Sequence, residues 1–385
     1  MHDARVLLLL FFSIAFPAID STAQPTPIAD PPVAAAPSND DGGYDEGFRL
    51  TRDTSPFSVT LNGLVQTRYT WLEPNGDSSI HTFDVPLARL ALGGAAFDDQ
   101  VTYFFQLEAS TFGDSNRLTL LDGWLQYRTG RSISIKAGRI LLPFSRQFLT
   151  HPGELLFADL SRADYAFNLP RSIGTAVGVS LRRVRVDAAI TNSVRALDAT
   201  GQQNRDGSLA AMARAEMTLI SGSGYLESSP TPLVDRQLSL GIAGAYNPVA
   251  EASVFQNVAP GDRTTSVTVD GTYRDRRLTL AAAFYHRRND TGGPRLDDRG
   301  AYLQGGLYVV PAEWEIAART SVVDFDRTRL DGVASDVREY EIGLNRYLHG
   351  HHVKLQADAG VVRHRDRAPG ARDDRRVRVQ FQLLF

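Results

Sequence analysis

From Phe57 to Phe385 the chain changes polarity at nearly every residue. Phe57, Val59, Leu61, Val65, Tyr69 and Trp71 fall on one side of an extended strand, and Ser58, Thr60, Asn62, Gln66, Arg68 and Thr70 on the other. A period of two held over this length makes a strand with one apolar and one wet face. The pattern recurs near 57–71, 83–97, 100–110, 118–128, 132–140, 172–181, 184–193, 208–219, 237–247, 264–274, 277–287, 300–310, 313–323, 337–348, 352–362 and 375–385. Most segments are near the ~9–11 residues that a tilted strand needs to cross hydrocarbon. Their number, about sixteen, is even, as closed bacterial barrels require. An open sheet edge has no partner in lipid, so such a sheet must close. The predicted fold class is all-β: a transmembrane antiparallel β-barrel of about sixteen strands over residues 56–385.

Connection lengths test this independently. A membrane barrel joins its strands alternately by short turns at one end and longer loops at the other. Short connections fall at Asp98-Asp99, Thr129-Gly130-Arg131, Arg182-Arg183, Asp275-Arg276, Pro311-Ala312 and His349-Gly350-His351. Longer ones at 194–207, 288–299, 324–336 and 363–374 alternate with them, and the third, about 141–171, is the longest. The stretch 220–236 breaks the rule by being long where a turn is due, which points to a misread strand boundary there. With this orientation Phe57, Tyr103, Tyr127, Tyr273, Trp314 and Phe385 face lipid at the turn-side rim, and Tyr69 and Trp71 at the opposite rim. Amphipathic rings collect at such interfaces.

The N-terminus reads as a leader. Arg5 precedes an apolar run from Val6 to Phe16, and Ser21 and Ala23 make a small-residue cleavage site. Residues 1–23 are therefore expected to be a signal peptide cut after Ala23. Residues 24–55, rich in Pro, Ala, Asp and Gly, cannot bury a core and read as a flexible periplasmic tail. There is no cysteine, so no disulfide and no thiolate metal site. The net charge of -3 gives no nucleic-acid footprint.

At the other end Val377, Val379, Phe381, Leu383 and Phe385 alternate with Arg376, Arg378, Gln380 and Gln382. This resembles the C-terminal strand signal of bacterial outer-membrane proteins, read by the barrel-assembly machinery, with Phe381, Leu383 and Phe385 as its apolar part. A soluble protein would gain only an aggregation-prone edge from such a strand.

Longer motifs carry a family resemblance. They are Leu121-Asp122-Gly123-Trp124-Leu125-Gln126-Tyr127, Ala137-Gly138-Arg139, Pro143-Phe144-Ser145-Arg146, Leu169-Pro170-Arg171-Ser172-Ile173-Gly174 and the run from Gly343 to Gln356. Together they resemble the phosphate-selective porin O and P family, from about Tyr44 to Phe385. The resemblance implies a sixteen-stranded outer-membrane barrel, usually a homotrimer in outer-membrane lipid, with its third loop folded into the lumen. Characterised phosphate-specific members line the pore with many lysines. This chain has only Lys136 and Lys354, so the resemblance supports a porin better than it supports phosphate selectivity.

In such a barrel the inward face carries the function. Diffusion needs water, width and a tolerable electrostatic profile. The expected inward bases are Arg68, Arg89, Arg128, Lys136, Arg185, Arg214, Arg274, Arg319, Lys354, Arg376 and Arg378. The expected inward acids are Glu108, Asp122, Asp187, Glu216, Asp270, Glu315, Glu339, Glu341 and Asp358, leaving a slight positive excess. The third loop adds Arg146, Glu154, Asp159, Arg162, Asp164 and Arg171 as constriction candidates, with Arg146, Arg162 and Arg171 presented to solutes. Arginine suits anions because its planar fork binds carboxylate or phosphate bidentately.

His349, His351 and His352 lie together but in a tight turn without a nearby carboxylate, a poor metal site. Ser221-Gly222-Ser223-Gly224 reads as a turn. No catalytic constellation, phosphate loop or cofactor motif stands out. The sequence therefore points to a passive porin for small hydrophilic solutes with a weak anion preference. The alternatives are a barrel enzyme, a structural barrel with an occluded lumen, and a soluble periplasmic β-protein.

Overall fold

The computed structural model describes residues 47–51 and 57–385, except 75–76, 98–99, 110–117, 131, 195–206, 222–223, 229, 231–235, 251–255, 257, 291, 293–294, 327–335 and 365–372. The expected signal peptide at 1–23, most of the expected tail, the Asp98-Asp99 turn and much of the longer loops lie outside the described residues.

Each alternating segment is a strand. They are β1 (Phe48–Thr51), β2 (Ser58–Glu73), β3 (Ile80–Ala96), β4 (Val101–Ala109), β5 (Thr119–Thr129), β6 (Ile133–Leu141), β7 (Arg171–Ser180), β8 (Val184–Thr191) and β9 (Ala210–Ile220). The series continues with β10 (Gln237–Asn247), β11 (Arg263–Arg274), β12 (Leu278–Asp290), β13 (Leu296–Val310), β14 (Trp314–Asp324), β15 (Val337–His349), β16 (Val353–His364) and β17 (Asp374–Leu384). From β2 to β17 every strand pairs antiparallel with its sequence neighbours, and β17 pairs back onto β2, with Gln380 opposite Arg68 and Leu383 opposite Val65. These sixteen strands form a closed barrel.

The seam closes on one glycine. Gly63 and Phe385 exchange backbone hydrogen bonds of 2.7 and 2.9 Å. The Phe385 ring lies so close that a Cβ on Gly63 would sit 2.3 Å from it.

β1 corrects the expected extent of the flexible tail. Residues 48–51 pair with Leu61–Ser58 of β2, just beyond the last β17 partner at Leu64. The Phe48 and Phe385 rings meet edge to face at 6.1 Å.

Polarity is inverted relative to a soluble fold. Ile342 on the outer face is 67% exposed, whereas Gln382 on the inner face is 0% exposed. An apolar outer face and a hydrogen-bonded inner face are what lipid outside and a polar lumen require. Among the described residues no helix is long and apolar enough to cross a membrane.

The described turns at 181–183, 275–277, 311–313 and 350–352 are short, and all lie at the end that holds Phe385. Gly130 and Gly350 take φ of +64° and +57° there, a left-handed geometry that favours glycine. The stretch 221–236, called T4 below, shares that end but is long. Its flanking strands end and begin where expected, so the strand boundary was not misread. Its described residues Gly224, Tyr225, Glu227 and Ser228 instead bond to the inner wall and to the third loop.

Candidate functional site

The third loop, L3, runs from Leu142 to Pro170, and its ends meet where Leu142 N–H donates to the Pro170 carbonyl at 3.0 Å. It holds two short helices and a 3₁₀ turn. They are α1 (Arg146–Leu149), Pro152–Glu154 and α2 (Arg162–Phe167). The sequence supplies the caps: the Ser145 hydroxyl accepts from Phe148 N–H at 3.4 Å, and the Ser161 hydroxyl from Asp164 N–H at 3.1 Å. Side-chain oxygens at helix starts satisfy amide groups that have no partner inside the helix.

L3 carries its own apolar face. Phe144, Ala163, Ala166, Phe167 and Leu169 pack with Ala189, Ala210, Met212, Ala243, Ala245, Ala281 and Ala283, which come from the inward positions of β8, β9, β10 and β12. Leu156 and Phe157 pack on Ala317 of β14. Glycine makes the room. A Cβ on Gly300 would lie 2.5 Å from the Phe167 ring, and one on Gly343 would lie 3.1 Å from Phe157. Burying aromatic and aliphatic side chains this way stabilises the docked loop by roughly 1.5–3 kcal/mol per side chain.

Charged wall residues hold the rest of the loop. Arg68 donates to the Ala158 carbonyl at 2.7 Å and to Asp159 at 3.1 Å. Arg378 pairs with Asp358 at 2.6 Å, with Glu341 at 3.1 Å and with Asp159. Arg319 donates to the Asp159 carbonyl at 2.9 Å and pairs with Glu341. Lys354 donates to the carbonyls of Gly153 and Leu155 at 2.8 and 3.0 Å. Arg214 donates to the Phe144 carbonyl at 2.8 Å and to Asp270 at 2.6 Å. Each of these five expected wall cations is buried.

The loop residues separate into two groups. Arg146 was expected to face solutes, but it is 4% exposed, with its guanidinium on Glu216 at 2.8 Å and Asp270 at 2.9 Å. Two carboxylates in a buried site outcompete water for it. Asp164 is likewise buried and accepts from Ser145 and, at 2.8 Å, from Tyr285. Glu154 is half-buried. Arg171 opens β7 and bonds Asp122 at 3.0 Å, with a side chain 11% exposed. Asp159 and Arg162 stay partly exposed, with side chains 48% and 42% exposed. Arg162 approaches Glu339 at 3.8 Å.

The wall of β3–β8 is different. Arg89 pairs with Glu108 at 2.6 Å, Arg185 with Asp187 at 2.8 Å, and Lys136 lies 4.2 Å over the Trp124 ring. Trp124 in turn stacks on Phe104 at 5.5 Å. Arg128, Lys136, Arg89 and Arg185 are half-buried rather than buried.

Sequence reasoning missed three contributors. The inward alanines and glycines of β8–β15 were a readable signal, because an open wall has no need of small residues there. The fifth loop, between β10 and β11, supplies Gln256, which donates to the Asn168 carbonyl at 3.0 Å. T4 supplies Glu227, which accepts from the Gln147 amide at 2.7 Å. The histidine turn is committed to backbone, with His351 bonded to the Ser228 carbonyl at 3.2 Å and His352 to the Leu384 carbonyl at 2.9 Å. No group of three metal-ligating side chains occurs among the described residues.

Solved porins share this architecture. An anion-selective porin from Comamonas acidovorans superposes with a TM-score of 0.62 at 14% identity, covering 86% of this chain and 100% of that one. The trimer form of the outer membrane protein OmpT of Vibrio cholerae gives 0.59 at 11%, covering 86% and 100%. Salmonella typhi OmpF in complex with daunomycin gives 0.59 at 12%, covering 89% and 100%. No curated protein matches the sequence. The family model of the phosphate-selective porin O and P proteins matches residues 59–385, all sixteen barrel strands but for the first residue of β2. The chain therefore belongs to the phosphate-selective porin O and P family and is an outer-membrane porin barrel.

Proposed function

We propose that this porin passes small hydrophilic solutes by diffusion, with a weak preference for anions that includes phosphate. The observation that carries the reading is the asymmetry of the lumen. The hydrogen bonds and ion pairs of L3 run to β9–β17 and β2, and β8 meets the loop through Ala189, which leaves the inward charges of β3–β8 as those along which solutes move. On that side five cations, Arg89, Arg128, Lys136, Arg171 and Arg185, face four carboxylates, Asp84, Glu108, Asp122 and Asp187. A small fixed excess in a low-dielectric constriction biases ion access. Asp159 and Arg162 are the loop charges that solutes meet. The similarity to an anion-selective porin agrees with this sign.

In this reading the turn end faces the periplasm, the leader at 1–23 directs export and is cut after Ala23, and residues 24–46 form a periplasmic tail. Phe381, Leu383 and Phe385 present the apolar part of the assembly signal to the barrel-assembly machinery. The mature protein is a homotrimer in outer-membrane lipid, as the trimer form of Vibrio cholerae OmpT suggests. It uses no cofactor and catalyses no reaction.

A second reading is an occluded barrel, favoured by the contacts of L3 with the inner wall and with Glu227 and Gln256. Reversal potential across a planar bilayer under a salt gradient separates the two. The porin reading expects stepwise conductance with a potential of anionic sign. A cationic sign removes the anion preference, and absent conductance from folded protein favours the occluded barrel.

A further inference from the structure

T4 lies at the end of the barrel where every other described connection is a short turn, yet it runs from 221 to 236. Its described residues are fixed on two sides. On the wall side, the Ser228 hydroxyl meets Tyr308 OH at 2.7 Å and donates to Glu315 at 2.9 Å, and Tyr347 OH donates to Ser228 at 3.0 Å. On the loop side, the Gly224 carbonyl accepts from Arg146 at 3.2 Å, and the Tyr225 ring lies beneath the Arg146 and Arg214 guanidiniums at 5.3 and 5.8 Å.

Glu227 joins the two sides. One carboxylate oxygen accepts from the Gln147 side-chain amide at 2.7 Å, and the other from Leu156 N–H at 2.8 Å. The Gln147 carbonyl oxygen then accepts from the Ser161 N–H and hydroxyl at 2.9 and 2.8 Å. Ser161 caps α2. A single 4% exposed carboxylate thus connects α1, the 155–157 turn and α2. Charge-assisted bonds in a buried setting are stronger than neutral ones, and a carboxylate offers an acceptor at each of its two oxygens where an amide offers only one.

We propose that residues 224–228 of T4 form an internal strut and that Glu227 is a positioning residue for the constriction. It sets how far L3, with Asp159 and Arg162, projects toward the β3–β8 wall. The solute does not touch Glu227. Its effect passes through Gln147 and Ser161 to the loop. The proposal rests on the porin reading above, and the experiment keeps the two failures apart.

The test compares single-channel recordings of the full-length protein with Glu227→Ala and Glu227→Gln in planar bilayers. Heat-modifiable gel mobility serves as the folding control. The strut predicts that Glu227→Ala raises conductance by roughly two-fold, adds switching between sublevels, and moves the reversal potential toward zero as the loop loosens. Glu227→Gln keeps one acceptor oxygen and replaces the other with a donor that opposes an N–H. It should give a smaller change in the same direction. A purely structural role would lower the temperature of the mobility shift and leave conductance and selectivity as in the unaltered protein, which would overturn the proposal. If Glu227→Ala does not assemble, Glu227→Gln decides by the same criterion. Absence of conductance in the unaltered protein would count against the porin reading instead.

Discussion

The two sides of the barrel wall carry the same kinds of residues and use them differently. On β3–β8, the pairs Arg89–Glu108 and Arg185–Asp187 join neighbours on the same or the adjacent strand and stay partly wet. On β9–β17, inward charges lie under L3, and the Arg214–Asp270 pair is almost completely buried. What covers a charge decides its role. An exposed pair contributes about 0–1 kcal/mol and is screened by salt. A buried pair contributes little relative to an apolar pair, but losing one partner costs several kcal/mol, because the other charge is stranded. The covered side is therefore a clamp for the loop, and the wet side is the electrostatic surface that a solute meets.

The most direct way to break this comparison is to remove a clamp residue. Arg378→Ala strands Asp358, takes one cation from Glu341 and one from Asp159, and should lower stability by about 3–5 kcal/mol. The midpoint of urea unfolding in lipid vesicles measures it, and a shift under about 0.5 kcal/mol would mean the covered side is not a clamp. Phe157→Ala empties the seat against Gly343 and Ala317 and should lower stability by about 3 kcal/mol. If the midpoint holds, apolar docking contributes less than the charges do.

A third test uses pH. The Asp164 carboxyl, in α2 of the loop, is pushed up to about 6, because burial outweighs the hydrogen bonds it accepts from Ser145, Tyr285 and Asn168. A carboxyl whose folded value lies above its unfolded one favours the folded state when protonated. That stabilisation is full below about pH 4, declines as pH rises, and is gone above about pH 6. The temperature of the gel-mobility shift should therefore fall between pH 4 and 6, and Asp164→Asn should flatten the curve. An unchanged curve in the variant would assign the dependence to another group.

The smallest effect on stability belongs to the wet side. Arg128→Glu with Lys136→Glu should change stability by only about 0.5 kcal/mol each, yet move the reversal potential toward cation selectivity. Glu substitutions there that leave the potential unmoved would place the selective surface on Asp159 and Arg162 instead.

The strand plan could be read because it is a local property. All sixteen barrel strands follow the period-two pattern, with ends displaced by a few residues, as at β13, where the ladder continues outward to Leu296. The terminal alternation of Val377 to Phe385 likewise appears as β17, closed onto β2. The side chains of Arg68, Arg214, Arg319, Lys354 and Arg378 bond to L3 or to inner-wall partners. Alternation says which face a side chain occupies. It does not say what else occupies that face.

That second matter belongs to the tertiary structure. Arg146 and Arg162 are sixteen positions apart in one loop and look equivalent in sequence. One is locked between Glu216 and Asp270 of distant strands, and the other is left partly wet. T4 looked like a misplaced boundary until Glu227 was seen to join α1 and the turn at Leu156. The sequence by itself determined which face of each strand is apolar and which is polar, since period two is a local property, and a sheet set in lipid must then close. Only the tertiary structure decided which half of that polar interior is dry. Loop docking depends on contacts between residues tens to hundreds of positions apart, and burial, not residue type, determines whether a charge holds the protein together or meets the solute.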